Sequence, residues 1–184
     1  MAKVIIKDCR LSFVHAFHPA APLSGSPDDA KYSVSIIIPK NNPQISEIQA
    51  AIKEAAEEGR SSKFGGKLPP NLKSCLRDGD TDRPDDPAYA GSYFINATSK
   101  TAPGILEPTK QRMTDETHLY SGCYAHVAVN FYAYNAAGNK GIAAGLNNIM
   151  KTREGEPLSG ATSAEADFGD IAPVVPSVSD DDWE

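Results

Sequence analysis

The chain has 184 residues, 40% of them hydrophobic and 23% charged, enough for one domain of ordinary size with a real core and some spare length. No stretch approaches the roughly 20 apolar residues that span a bilayer, and Met1-Ala2-Lys3-Val4-Ile5-Ile6-Lys7 has no cleavage signal behind it, so a cytoplasmic location without membrane contact is expected. Charge is uneven: all 18 Lys and Arg lie at or before Arg153, leaving a body of net charge +3, while nine acids and no base follow, giving −6 for the whole.

Lys3 to Phe17, rich in Val, Ile and Phe, predicts a long first strand. Ser24-Gly25-Ser26-Pro27-Asp28-Asp29 predicts a turn-rich loop. From Lys31 to Ile38, Tyr32, Val34, Ile36 and Ile38 alternate with Lys31, Ser33, Ser35 and Ile37, the pattern of a half-buried strand. Asn42-Pro43 then predicts a helix start, with Asn42 as N-cap and proline at the first helical position. Ile45, Ile48, Ile52 and Ala55 share one face of this helix, and Gly59 ends it.

Residues 60 to 90 predict a long irregular segment, interrupted by Pro69-Pro70, Pro84 and Pro87, of the kind that is usually functional or mobile. Its first half is basic (Lys63, Lys67, Lys73, Arg77) and its second acidic (Asp78, Asp80, Asp82, Asp85, Asp86). Gly91 to Lys100 predicts a third strand and Cys123 to Tyr134 the clearest one. Asn135-Ala136-Ala137-Gly138-Asn139 predicts a hairpin turn, returning as a last strand from Lys140 to Thr152. Several strands, one helix after the second and a closing hairpin predict a mainly β chain: a small OB-fold-like β-barrel over residues 1–160, followed by a disordered acidic tail over 161–184.

Parity along the clearest strand separates two surfaces. Cys123, Ala125, Val127, Val129, Phe131 and Ala133 are all apolar, whereas Tyr124, His126, Ala128, Asn130, Tyr132 and Tyr134 present aromatic and hydrogen-bonding groups. In the third strand Tyr93, Ile95 and Ala97 oppose Phe94, Asn96, Thr98 and Lys100. Nucleic-acid bases stack on such platforms while nearby cations follow the phosphates. Candidate stacking residues are therefore Phe94, Tyr124, Tyr132 and Tyr134. Candidate phosphate contacts are Lys31, Lys63, Lys67, Lys73, Lys100, Arg112, Lys140 and Lys151. The competing reading is that these rings roof a second small core under the long loop.

Catalysis finds no support. Gly141-Ile142-Ala143-Ala144-Gly145-Leu146 lacks the lysine and spacing of a phosphate loop. No serine sits in a nucleophile-elbow sequence. Cys123 and His126 face opposite sides of their strand and cannot share a metal there. Asp78-Gly79-Asp80-Thr81-Asp82 opens like a calcium loop, but the glycine position holds Arg83 and the twelfth position holds Tyr89 instead of Glu. Cys9, Cys75 and Cys123 are odd in number and widely spaced, which argues against a disulfide framework. A non-enzymatic protein without cofactor or metal is expected.

The tail carries Glu165-Ala166-Asp167-Phe168-Gly169-Asp170 and ends Asp180-Asp181-Asp182-Trp183-Glu184. An aromatic anchor among acids suits docking on a basic, apolar groove of a partner protein, and a plain solubilising tail with an incidental Trp183 is the alternative.

Pro69-Pro70-Asn71-Leu72-Lys73, Leu76-Arg77-Asp78-Gly79-Asp80, Gly91-Ser92-Tyr93-Phe94-Ile95-Asn96-Ala97, Tyr120-Ser121-Gly122-Cys123-Tyr124 and the run from Asn139 to Ile149 resemble, in order, a phage-encoded OB-fold family of single-stranded DNA-binding proteins. The similarity covers most of residues 1 to 160. The resemblance implies an OB-fold, binding of single-stranded DNA, and a role in phage replication, recombination or repair in the host cytoplasm; the aromatic face predicts that this binding is sequence-tolerant. The acidic tail is similar to those of podophage replication proteins of this kind, which contact replisome partners; those end in an aromatic residue, whereas Trp183 is penultimate. A homodimer is compatible with the sequence, and a phage structural or interaction module using the tyrosine face is the other functional class it allows.

Overall fold

The first strand is long enough to serve two neighbours. In the computed structural model, which describes residues 2–21, 30–136 and 138–158, β1 (Ala2–Ala20) pairs antiparallel with β6 (Tyr124–Ala136) through its first half and with β2 (Lys31–Pro39) through its second. Two bulges let it turn this corner. Asp8 (φ 49°) interrupts the β6 register and Phe13 (φ 47°) interrupts the β2 register. Each bulge also exchanges the inward parity, so the core takes Val4 and Ile6, then Cys9 and Leu11, then Ala16.

The remaining strands are β3 (Arg77–Asp78), β4 (Ser92–Ser99), β5 (Gly104–Leu106) and β7 (Asn139–Arg153). The order β3-β4-β2-β1-β6-β7-β5 is closed by a further pairing of β4 with β7, where Ala97 meets Ala144 and Thr98 meets Gly145 in parallel. The ring β1-β2-β4-β7-β6 is a five-stranded barrel with OB-fold connectivity. One edge of β7 is satisfied in parallel by three separate segments: Lys73 beside Gly141, then β4, then β5. That leaves little of this long strand open to a second sheet.

Helix α1 (Gln44–Ser62) follows β2, as the sequence predicts, and buries Ile45, Ile48, Ala55, Ala56 and Gly59. Asn42 Oδ1 accepts from the Gln44 N–H at 2.8 Å, so the predicted side chain caps the first turn although Pro43 occupies the N-cap position. The helix continues past Gly59, where an end was expected. Gly59 is a contact glycine: a Cβ there would overlap the Ala133 Cβ of β6.

The structure corrects two further expectations. β2 is not half-buried, because Val34 through Ile38 are all buried on both faces. The outer side is covered by the segment from Arg77 to Ala90, which is more ordered than its composition suggests: β3, a short helix α2 (Gly79–Asp82) and a 3-10 turn at Pro87–Tyr89. Lys40 bridges Asp78 and Asp80 at 2.9 Å each and anchors this cover. The Lys40 ammonium beside Asp78 holds that carboxyl below its usual range, and the Gly91 N–H with Lys40 does the same for Asp80. Tyr89 is the cover's anchor: fully buried, edge-on to Phe94 with centroids 5.0 Å apart, and donating to Ser35 Oγ at 2.9 Å. Ile37, Tyr89 and Phe94 form a small second core outside the barrel wall.

β5 was not foreseen. The turn expected over Ser24–Asp29 and the tail over 161–184 lie outside the described residues. No helix among the described residues is long and apolar enough to cross a membrane.

Candidate nucleic-acid interface

Strand β6 keeps the predicted parity: its odd positions from Ala125 to Ala133 are buried, and its even positions face outward. Across from them, β7 supplies glycines and alanine. Tyr134 pairs with Gly141, Tyr132 with Ala143 and Asn130 with Gly145. A Cβ on Gly141 would lie 2.7 Å from the Tyr134 hydroxyl, and one on Gly145 would lie 3.6 Å from Tyr132 Cε1. The rings therefore lie across β7 because its outward positions are small. Tyr132 keeps 37% of its surface exposed.

Beside this platform runs a groove of about 760 Å³. Asn96, Thr98 and Ala143 form part of its floor, Tyr134 one wall, and the stretch from Lys73 to Asp78 the other. The Lys73 N–H donates to Lys140 O at 3.2 Å and Lys73 O accepts from the Ile142 N–H at 2.8 Å, which ties this wall to the β6–β7 hairpin. The wall carries Lys73 and Arg77 at the surface, Arg77 being paired to Asp82 at 3.0 Å. Cys75 lines the same groove, its thiol pushed up to about 12 by burial.

A second groove, about 440 Å³, lies over the other half of β6–β7, between Lys3, Ile5, Arg112, His126, Ala128 and Met150. It brings Arg112 to the predicted face together with Lys3 and Ile5, which parity on β6 could not reveal because they arrive from β1.

Several expected residues are placed elsewhere. Phe94 is 1% exposed beneath Tyr89, so it is core and not a stacking platform. Lys151 is 4% exposed, ion-paired to Glu154 at 2.8 Å and 5.3 Å from the Tyr120 ring centroid. A bulge explains it: Val129 pairs with Leu146 but Ala128 with Asn148, so Asn147 is extra and later inward positions are odd. Tyr124 faces outward, but Arg153 already stacks on its ring at 3.6 Å. Lys31 and Lys100 are exposed at one end of the β2–β4 pair, where Tyr32 meets Ser99. Lys63 and Lys67 are exposed after α1, and Lys140 is half-exposed at the hairpin. Among the described residues no group of three or more His, Cys, Asp or Glu side chains is arranged to hold a metal ion.

A family model described as the single-stranded DNA-binding protein of Enterobacter phage Enc34 matches residues 2–181. The chain belongs to this family. Protein p50 of Acyrthosiphon pisum secondary endosymbiont phage 1 is 32% identical over 178 residues, 92% of this chain and 94% of that protein. Among solved structures, the single-stranded DNA-binding protein of bacteriophage Enc34 in complex with single-stranded DNA superposes with a TM-score of 0.75 at 23% identity, over 86% of this chain and 90% of that one. The single-stranded DNA-binding protein gp2.5 of bacteriophage T7 superposes with a TM-score of 0.60 at 15% identity, over 96% and 97% of the two chains. These likenesses support the OB-fold assignment.

Proposed function

We propose that this chain binds single-stranded DNA with little sequence preference, on the outer face of β6–β7, and serves phage DNA replication, recombination or repair. The observation that carries the reading is the groove between Tyr134 and the Lys73–Asp78 wall: a polar floor, an adjoining exposed tyrosine and cations on the far side. Bases stack on Tyr132 and Tyr134, and phosphates run past Lys73, Lys140 and, along the second groove, Lys3 and Arg112. Family membership supports the ligand class, as does the Enc34 protein having been solved with single-stranded DNA.

The acidic tail competes with DNA for this surface and, when displaced, offers Asp180, Asp181, Asp182, Trp183 and Glu184 to replication partners. Support comes from where the chain leaves the barrel. Arg10 donates to Glu156 O at 2.7 Å, the Leu158 N–H donates to Ser121 O at 2.8 Å, and Leu158 packs on the Ile37–Tyr89–Phe94 cluster. The tail thus starts from the outside of the barrel, beside the Ile37–Tyr89–Phe94 cluster, and a short tether holds it at high effective concentration for the barrel surface.

A salt-titrated binding assay with oligo-dT tests the reading. The expected result is tight binding at low salt that weakens steeply, with a slope of about −0.7 per phosphate neutralised. Equal affinity for duplex, or a salt-insensitive complex, overturns it. Cys75 gives a site-specific readout, because Cys9 and Cys123 are buried. Its slow alkylation falls when oligo-dT is bound, and an unchanged rate moves the DNA off this groove. Removing residues 165–184 takes the net charge from −6 to +1 and tightens binding, and Trp183 emission shifts toward that of an exposed indole when DNA is added.

A further inference from the structure

Arg83 is the odd residue just beyond the Asp82 end of the first groove. Its guanidinium carbon stands 5.1 Å from the ring centroid of Phe13, 5.2 Å from Tyr89 and 5.4 Å from Phe94. Its Nε–H is buried and has no acceptor. Neither hydrogen bond nor ion pair engages this guanidinium among the described residues. The neighbouring acids are mostly engaged elsewhere: Asp82 with Arg77 at 3.0 Å, Asp80 with Lys40 at 2.9 Å, and Asp86 Oδ1 accepting from the Ala88 N–H at 3.0 Å. Rings hold a guanidinium in place, but they give its N–H groups no acceptor. A buried donor without an acceptor is costly, and the Nη groups, which no described acceptor engages, are left to take an anion.

Phe13 is odd in its own right. It sits at the β1 bulge with φ 47°, a region that bulky residues seldom occupy, and it leaves 51% of its surface exposed. Arg83 covers one part of the ring and the rest is open. Strain, an exposed aromatic ring and an unpartnered cation coincide in one place.

We propose that Phe13 and Arg83 form a second nucleotide site, on the β1–β2 side of the barrel, in which the guanidinium takes a DNA phosphate and the open part of Phe13 stacks a base. This rests on the single-stranded DNA reading and extends it past the Arg77–Asp82 wall of the first groove, over β1 and β2. The occupant is DNA because two recognition elements are present together, a forked donor for phosphate and a ring for a base. Asp85, beside Arg83 in the chain, opposes the phosphate, so Asp85→Asn tightens binding.

The test uses the full chain and an oligo-dT carrying 5-iododeoxyuridine. Irradiation is expected to cross-link Phe13, located by peptide mass spectrometry. Phe13→Ala, an exposed change that leaves the melting temperature nearly unaltered, weakens binding roughly 5- to 150-fold, the range that corresponds to one stacked base. Arg83→Gln lowers the magnitude of the salt slope by about 0.7, and Arg83→Lys restores the slope because it keeps the charge. If the wild type binds oligo-dT but Phe13→Ala binds equally well and cross-links fall only on β6 and β7, this second site is overturned and the main reading stands. If Arg83→Gln tightens binding, the guanidinium holds this chain's own carboxylates, and the phosphate assignment is overturned. Failure of the wild type to bind oligo-dT overturns the underlying reading itself.

Discussion

Two outer faces of the same barrel received similar sequence patterns and met opposite fates. Over β6–β7, Tyr132 and Tyr134 lie across small residues and border an open groove. Over β2–β4, Ile37 and Phe94 are sealed beneath Tyr89. Strand alternation alone does not separate the two, since each face carries aromatic groups outward. The separation comes from a distant segment, residues 77–90, which Lys40 and the Tyr89–Ser35 hydrogen bond fasten over one face only. Burial on a sheet is decided by what arrives from elsewhere in the chain.

The contrast yields graded expectations. The largest effect is on stability, at the sealed face: Tyr89→Ala opens a large cavity and costs about 3–5 kcal/mol in a denaturant titration. Tyr89→Phe loses only the bond to Ser35 and costs roughly 1 kcal/mol. At the open face the effects exchange places. Tyr132→Ala weakens oligo-dT binding by about 1–3 kcal/mol with the melting temperature and the salt slope nearly unchanged. If it unfolds the protein while the remaining folded fraction binds normally, the open face is a core as well. Smaller still, Lys73→Ala and Lys140→Ala each reduce the magnitude of the salt slope by about 0.7, whereas Lys151→Ala, a buried change, destabilises the fold without that signature.

The smallest effect lies away from both faces. Glu107 beside Nδ1 of His118, at 2.7 Å, raises that imidazole above its ordinary range. A raised folded value stabilises the protein below the unfolded histidine value of about 6.5 and loses that contribution as the pH climbs through the folded one. Melting temperature should therefore decline slightly as the pH rises past the ordinary histidine value, and His118→Gln should flatten that decline. An unchanged profile would remove the pair from the account.

How much was legible in the sequence follows the same logic. The β6 face was readable because its alternation is uninterrupted and its inner side faces only the barrel core and the helix α1 packed on it. The helix was readable from its periodicity and from Asn42. The β2 burial was not, because Ser33 and Ser35 look solvent-facing until Tyr89 arrives from more than 50 residues away. Lys151 misled because the Asn147 bulge changes the inward parity with nothing in the sequence but a weak Asn-Asn to mark it. β5 is three residues whose pairing depends wholly on the β7 edge. Lys3, Ile5 and Arg83 join their sites across the fold, so no local spacing announces them.

The closing of β7 by Lys73, β4 and β5 sets an order of events in time. β1 is the first strand to leave a ribosome, yet its partner β6 starts at Tyr124 and the strand that completes the ring ends at Arg153. During synthesis, β1 and β2 can pair while the barrel stays incomplete, with hydrophobic edges waiting for more than a hundred residues of chain. Such late, long-range pairing makes for slow folding and transient stickiness. A nascent chain halted before Asn139 should lack the protease resistance of the released protein, and resistance should appear in one step once Arg153 has emerged.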